Sequence, residues 1–400
     1  MSEFDPHRVR LGANKELHAR PFPELPAAVR LVHLCVRSSP KTWPTVRGWI
    51  QRRITDLPDE FSGRWVRDAM DGWCRVELHT EFVAITLVVP DGLQFSEVAD
   101  AQWLGQVPSD IFVLARLTSE VGQAAFDPQF EAVSEFLDGS VLAASNFSPD
   151  TAGFSNWQVR FVDDPGPEAS GRLLQLILEI ETYRTLAVVG IDKVRQAHPV
   201  LQSVATALPK SIAKALDHAQ MLQMLETLTA EASRLHEIWE ELAWRIGANQ
   251  AYHNLVFQRL ADLADRPSGG AVSLSQFLRR RLTPAIATME TVMRRRDELA
   301  RQVEDRADLL RTQLQLNLQS QTRDLLASLE RSAVTQIRLQ TAVEGLSTVA
   351  IAYYALNLLT PMIEPWVPHD QLAWVKAGLA PVVVGSVWWV LSRIRNRVSQ

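Results

Sequence analysis

Four hundred residues with 46% hydrophobic and 22% charged side chains describe a chain that can bury a sizeable core in two or three domains, and they exclude a disordered one. A formal charge of -5, with no basic stripe interleaved with stacking aromatics, excludes a nucleic-acid partner. Cys35 and Cys74 are the only cysteines, each inside an apolar strand-like run, so reduced and packed thiols are expected and no zinc site follows from them.

The first thirty residues are charged and proline-rich and contain no apolar signal-peptide core, so the N-terminus is expected to stay in the cytosol. Within them Pro21 and Pro23 disfavour helix at the residues before them, so Glu16, His18 and Arg20 are expected close together on an extended or turning segment. A carboxylate, an imidazole and a guanidinium are the parts of an acid/base or anion site. The same three groups equally serve to pin an N-terminal arm by hydrogen bonds.

Between Ala27 and Asp163 the runs AAVRLVHLCV, WCRVELHTEF with VAITLVV, DIFVLARLT, GSVLAASNF and GFSNWQVRFV read as strands, and WPTVRGWIQRRI and DPQFEAVSEFL read as helices. This predicts an N-terminal α/β domain over 1–162 with a sheet of about five or six strands. No G-x-G-x-x-G, P-loop or G-x-S-x-G follows any of the runs. With no grouping of nucleophile, base and orienting residue, an enzyme is not expected, nor is a cofactor or a resident metal.

Asp163-Asp164-Pro165-Gly166-Pro167 reads as a linker, after which the period changes and a helical domain is expected over 168–340. Interruptions are predicted at Pro199 and Pro209. His236 and Glu240 share a helix face, but two groups alone make an ordinary helix surface rather than a metal site. Pro267-Ser268-Gly269-Gly270 turns the chain back. From Ala285 to Gln340 neither proline nor glycine interrupts, which predicts one long stalk helix running into the segment that follows. Its apolar residues Leu299, Val303, Ala307, Leu310, Leu314, Leu318, Leu325 and Leu329 include sets eleven apart, a spacing that favours a straight or slightly right-handed bundle. The preceding helical arm is one candidate neighbour, and the same helix of other subunits supplies the rest.

The C-terminal stretch holds two apolar runs, 343–363 and 372–391, each long enough to cross the hydrocarbon layer of a bilayer as a helix. The loop between them, EPWVPHDQ, is too short for anything but a hairpin within 341–397. Arg331 and Arg338 precede the first run and Arg393, Arg395 and Arg397 follow the second, while the loop has no Lys or Arg. The positive-inside bias therefore predicts a bacterial inner-membrane protein with both termini in the cytoplasm. The competing reading is a buried helical hairpin in a soluble domain, since Ser347, Thr348, Asn357 and Thr360 make the first run only moderately apolar. The fold class expected is thus an α+β membrane protein: cytoplasmic α/β domain, long helical hairpin and stalk, and a two-helix transmembrane hairpin.

Two phrases carry a family resemblance. NKELHARPFPEL, and DLLASLERSAVTQIRLQTAVEGLSTVAIAYY at 324–354, resemble the hallmarks of the bacterial family known as domain of unknown function 3422. The resemblance runs the length of the chain and implies membrane association without an assigned activity. In layout the chain is also similar to CorA-type magnesium channels, whose Tyr-Gly-Met-Asn motif is matched here by Tyr354-Ala355-Leu356-Asn357. The aromatic and the amide keep their spacing; the glycine and methionine do not. That resemblance implies a homo-oligomeric ion channel or transporter, with Tyr354, Asn357 and Glu364 at a pore or its outer mouth and a divalent cation as candidate substrate. A membrane-tethered scaffold or sensor that binds a cytoplasmic partner is the alternative from a different class.

Overall fold

A computed structural model describes residues 22–61, 63–67, 72–123, 126, 130–208, 217–363, 368 and 372–398. They form an α+β protein with one mixed nine-stranded sheet and long helices. Two compact units contain them, Met1–Ala213 with Met224–Arg306, and Lys214–Gln223 with Ala307–Gln400.

The first unit is built on the sheet. Its strands are β1 (Val29–Arg37), β2 (Arg64–Arg67), β3 (Cys74–Leu78), β4 (Phe82–Val88), β5 (Ile111–Val121), β6 (Ala132–Phe136), β7 (Val141–Pro149), β8 (Ser155–Phe161) and β9 (Arg266–Pro267), in the order β2-β3-β4-β1-β5-β8-β7-β6-β9. Neighbours are antiparallel except β5 and β8, whose parallel pairing joins two antiparallel halves. The expected strand runs are β1, β3, β4, β5, β7 and β8. The sheet gains β2, β6 and β9, so five or six strands becomes nine. Of these, β6 lies in the segment read as helix. Ala132, Ser134 and Phe136 are buried while Val133 and Glu135 between them are partly exposed, a period of two that pairing with β7 selects over a helical one.

Both faces of the sheet are covered. Central β1 is apolar almost without break because its alternate residues enter different cores. Val32, Leu34 and Val36 face α1 (Trp43–Gln51) and the short helices α2 (Phe95–Val98) and α3 (Ala101–Leu104), where Trp49 and Trp103 stack at 4.4 Å. Leu31 and Cys35 face the core shared with α4 (Pro167–Leu186), the later part of α6 (His218–Asp262) and the first turns of α7 (Leu274–Ile363). The apolar core therefore runs on past the Asp163–Pro167 linker. Between α4 and α6 lies α5 (Ile191–Ala207), and it contains Pro199 without ending there. The break falls instead at Gly190, whose φ of 85° is the left-handed conformation that turns the chain. Pro209 lies outside the described residues.

The stalk is longer than expected: α7 is one helix of 90 residues that includes Pro284. Along it, Leu299 and Val303 are buried in the first unit, and Ala307, Leu310 and Leu314 in the second. In the second unit Asn317 Nδ2 lies 3.8 Å from Met221 Sδ on the start of α6. The stripe then comes into the open, with Leu318, Leu325 and Leu329 52%, 60% and 57% exposed. The last helix, α8 (Leu372–Val398), contains Pro381. The end of α7 and Ala373–Leu391 of α8 are each long and apolar enough to cross a membrane, and only 6% of each apolar window is buried.

Candidate functional site

The described end of the NKELHARPFPEL phrase is seated on the first turn of α4. Pro167 opens that helix where a missing N–H costs nothing, and its carbonyl accepts from Leu25 N at 3.0 Å. Ser170 Oγ donates to Leu25 O. Next to it Gly171 is required by contact rather than by conformation: a Cβ there would overlap the carbonyl of Pro23. Glu16, His18 and Arg20 lie outside the described residues.

Beneath this seat a polar set is sealed between the sheet and α4. Thr182 Oγ1 donates to Leu178 O at 2.9 Å, so toward His33 Nε2, also at 2.9 Å, it can only accept. His33 is therefore the Nε2–H tautomer, and its Nδ1 accepts from Thr86 Oγ1 at 2.9 Å. Burial holds this imidazole neutral, its pKa lowered to about 4, with Glu181 pulling the other way and Arg75 adding to the depression. Cys35 Sγ lies 3.4 Å from His33 Nε2, but burial pushes the thiol far above its ordinary value. Neutral thiol beside neutral imidazole is a packed pair, not an activated nucleophile. Both cysteines are free and buried.

Arg75 is 3% exposed and bridges layers: Nη2 to Glu77 Oε1 at 2.6 Å, Nη1 to Gln175 Oε1 at 2.7 Å. Gln175 in turn donates to Glu179 Oε1 at 2.7 Å, and Arg259 of α6 closes the chain on Glu179 Oε2 at 2.7 Å. One continuous run of hydrogen bonds thus ties β3 to α4 to α6. A second tie begins at Glu81 in the β3–β4 turn, which accepts from Tyr252 Oη at 2.6 Å and from Arg245, both on α6. Glu181, 1% exposed, opposes burial by accepting from Trp157 Nε1 at 3.0 Å and Arg184 Nη2 at 2.6 Å. These donors outweigh desolvation and hold its carboxyl below the usual range.

Two cavities flank α4 and share Gln175, Glu179 and Tyr183. The inner one, about 50 Å³, is lined by His33, Arg75 and Glu77 and has room for a few waters. The outer groove, about 800 Å³, runs past Phe22, Phe161 and Leu173. Among the described residues no three His, Cys, Asp or Glu side chains gather as a metal site would require, and His236 and Glu240 form an exposed pair at 3.4 Å.

A family model described as "Protein of unknown function (DUF3422)" matches residues 5–398. The chain belongs to the DUF3422 family. No curated protein matches it. In this DUF3422 protein the remaining candidate residues lie in the second unit, near the end of α7. Tyr354 is 67% exposed, Asn357 is exposed three residues on, and Glu364 lies outside the described residues. Helix continues through all of Tyr354 to Asn357, and Thr360 Oγ1 donates to Leu356 O at 2.7 Å. Near the start of the apolar run Gln340 Nε2 donates to Glu344 Oε1 at 3.2 Å.

Sequence reasoning missed His33, Arg75, Gly171, Gln175 and Glu181. A signal was present for two of them: His33 interrupts LVHLCV and Glu181 interrupts LILEIETY, and a polar residue inside an apolar run is one that burial obliges to find a partner.

Proposed function

We propose that this DUF3422 protein is a homo-oligomeric membrane protein of CorA-like layout that conducts ions. In this reading the ends of α7 and α8 cross the bacterial inner membrane as a hairpin and both termini are cytoplasmic, an orientation supported by the arginines that flank the hairpin and are absent from its loop. The low burial of both apolar windows argues against the soluble-hairpin alternative.

The observation that carries assembly is the stripe of α7 beyond Leu314. At about 100° per residue, Leu325, Leu329, Ser332, Gln336 and Gln340 all fall within about 40° of the line through Leu318. Arg323, Asp324, Glu330, Arg331 and Arg338, the charged residues between Leu318 and Val343, all lie at least about 120° away from it. An uncharged face on a long helix, covered by its own subunit as far as Leu314 and bare beyond, fits the same helix of other subunits. Packed around an axis, such helices lead directly into the span that holds Tyr354 and Asn357.

The test is ion flux into proteoliposomes. Native protein is expected to pass Mg²⁺ or another cation above the level of empty vesicles, and Asn357→Ala to reduce that flux at equal reconstitution and unchanged oligomer size. A specific feature favours the second reading, a membrane-tethered scaffold or sensor. Unbroken helix through Ala355 and Leu356 keeps their carbonyls in helical hydrogen bonds instead of presenting them to an ion. No flux of any cation above empty vesicles selects that reading.

A further inference from the structure

We propose that the outer groove beside α4 binds a small amphipathic organic cation, an amine carried on an apolar body. The site lies wholly within the first unit and does not rest on ion conduction. Its volume of about 800 Å³ is that of a small-molecule site. Val141, Phe161 and Leu173 form an apolar floor, and Leu176 with the 43% exposed Leu137 forms its walls.

Charge selects the ligand. Asp163, Asp164, Glu179 and Asp262 stand against Arg172 and Arg259 among the described residues lining the groove, an excess of two negative charges. Arg259 is already committed, to Glu179 at 2.7 Å and Asp262 at 3.5 Å. Asp164 accepts a hydrogen bond from Gly166 N at 2.9 Å, and neither Asp163 nor Asp164 enters an ion pair among the described residues. Asp163 and Asp164, adjacent and outside any ion pair among the described residues, outnumber the one groove cation without such a pair there, Arg172, and complement a cation whose body is buried. Tyr183, shared with the inner cavity, adds an aromatic group to the same wall. An anion of the same shape would meet the carboxylates at the rim.

The experiment is calorimetric titration of the full-length protein in detergent, with protein-free micelles subtracted, using tryptamine and its anionic counterpart indole-3-acetate. Tryptamine is expected to bind saturably and at least tenfold more tightly than indole-3-acetate. The double substitution Asp163→Asn and Asp164→Asn should weaken tryptamine at least tenfold without moving the melting temperature, and Leu176→Trp should abolish binding by filling the groove. Equal affinity for the two probes, or binding unchanged by the aspartate substitutions, overturns the proposal. So does the absence of saturable binding for both tryptamine and the longer octylamine. Binding seen only after removal of residues 1–20 also overturns it, because the groove would then belong to the chain's own N-terminal segment.

Discussion

His33 holds its place because both ring nitrogens are satisfied by threonine hydroxyls while the ring stays neutral. Its pKa of about 4 in the folded protein lies below the ordinary 6.5, so the unfolded chain takes up the proton first as pH falls. The stability it contributes is complete above pH 6.5 and is lost as pH drops from there toward 4, by about 3 kcal/mol in all. Glu181 acts in the same direction at lower pH, since its depressed carboxyl must be protonated in the unfolded state first. Unfolding of the native protein and of His33→Gln, followed between pH 7 and 4.5, is expected to give a flatter pH dependence for the variant. Identical slopes would remove His33 from this role. Gly171 acts through shape. Gly171→Ala must push the Pro23 segment off α4, at a cost of about 1–3 kcal/mol read as a lower melting temperature. An unchanged melting temperature would mean that the seat of the family phrase yields freely.

At the scale of the element, α7 changes character along its length. Up to Leu314 its apolar stripe is buried within the chain, and from Leu318 the same stripe is bare. Glutamates at Leu325 and Leu329, both more than half exposed, therefore have little to disturb within one subunit. If the stripe packs against copies of itself, the double variant buries unpaired charges at every contact and dissociates the assembly. Detergent-corrected light scattering should then report an oligomer for the native protein and 44.9 kDa for Leu325→Glu/Leu329→Glu, with the melting of the sheet unit unchanged. A native mass of one subunit, or a variant that stays assembled, would count against this packing. For β6 the outcome was set by its neighbours: EAVSEF carries an alternation too short to be told from a helix turn until β7 pairs with it.

For the whole molecule the prediction to test is that the two apolar runs cross a membrane as a hairpin. A cysteine placed at His369, in the loop between the apolar runs, is expected to react with an impermeant thiol reagent outside the cell, and one at Ser399 is not. Cys35 and Cys74 are buried, so the background is low. Labelling of both positions, or of Ser399 alone, would refute the hairpin orientation. If it holds, the sheet unit and the apolar spans belong to one chain whose α7 is a single continuous helix, and the polar chain from Glu77 to Arg259 fixes how β3, α4 and α6 meet near that helix's beginning.

Much was written locally in the sequence. The strands β1, β3, β4, β5, β7 and β8 are set by periodicity, the stretch 285–340 of α7 by the absence of proline and glycine and the two apolar runs by length and composition, none of which needs a distant residue to be read. Only tertiary structure decided the rest. The strand order, the parallel pairing of β5 with β8 and the edge strand β9 on β6 depend on partners far along the chain. His33 meets Thr182 across 149 residues and Arg75 meets Gln175 across 100, separations at which spacing carries no information. The groove beside α4 was likewise invisible, because a cavity is made by walls from β7, β8, α4 and α6 that only folding brings to one place. Burial is the physical reason common to all of these: a polar side chain or a short strand takes its meaning from what covers it, and the cover comes from elsewhere in the chain.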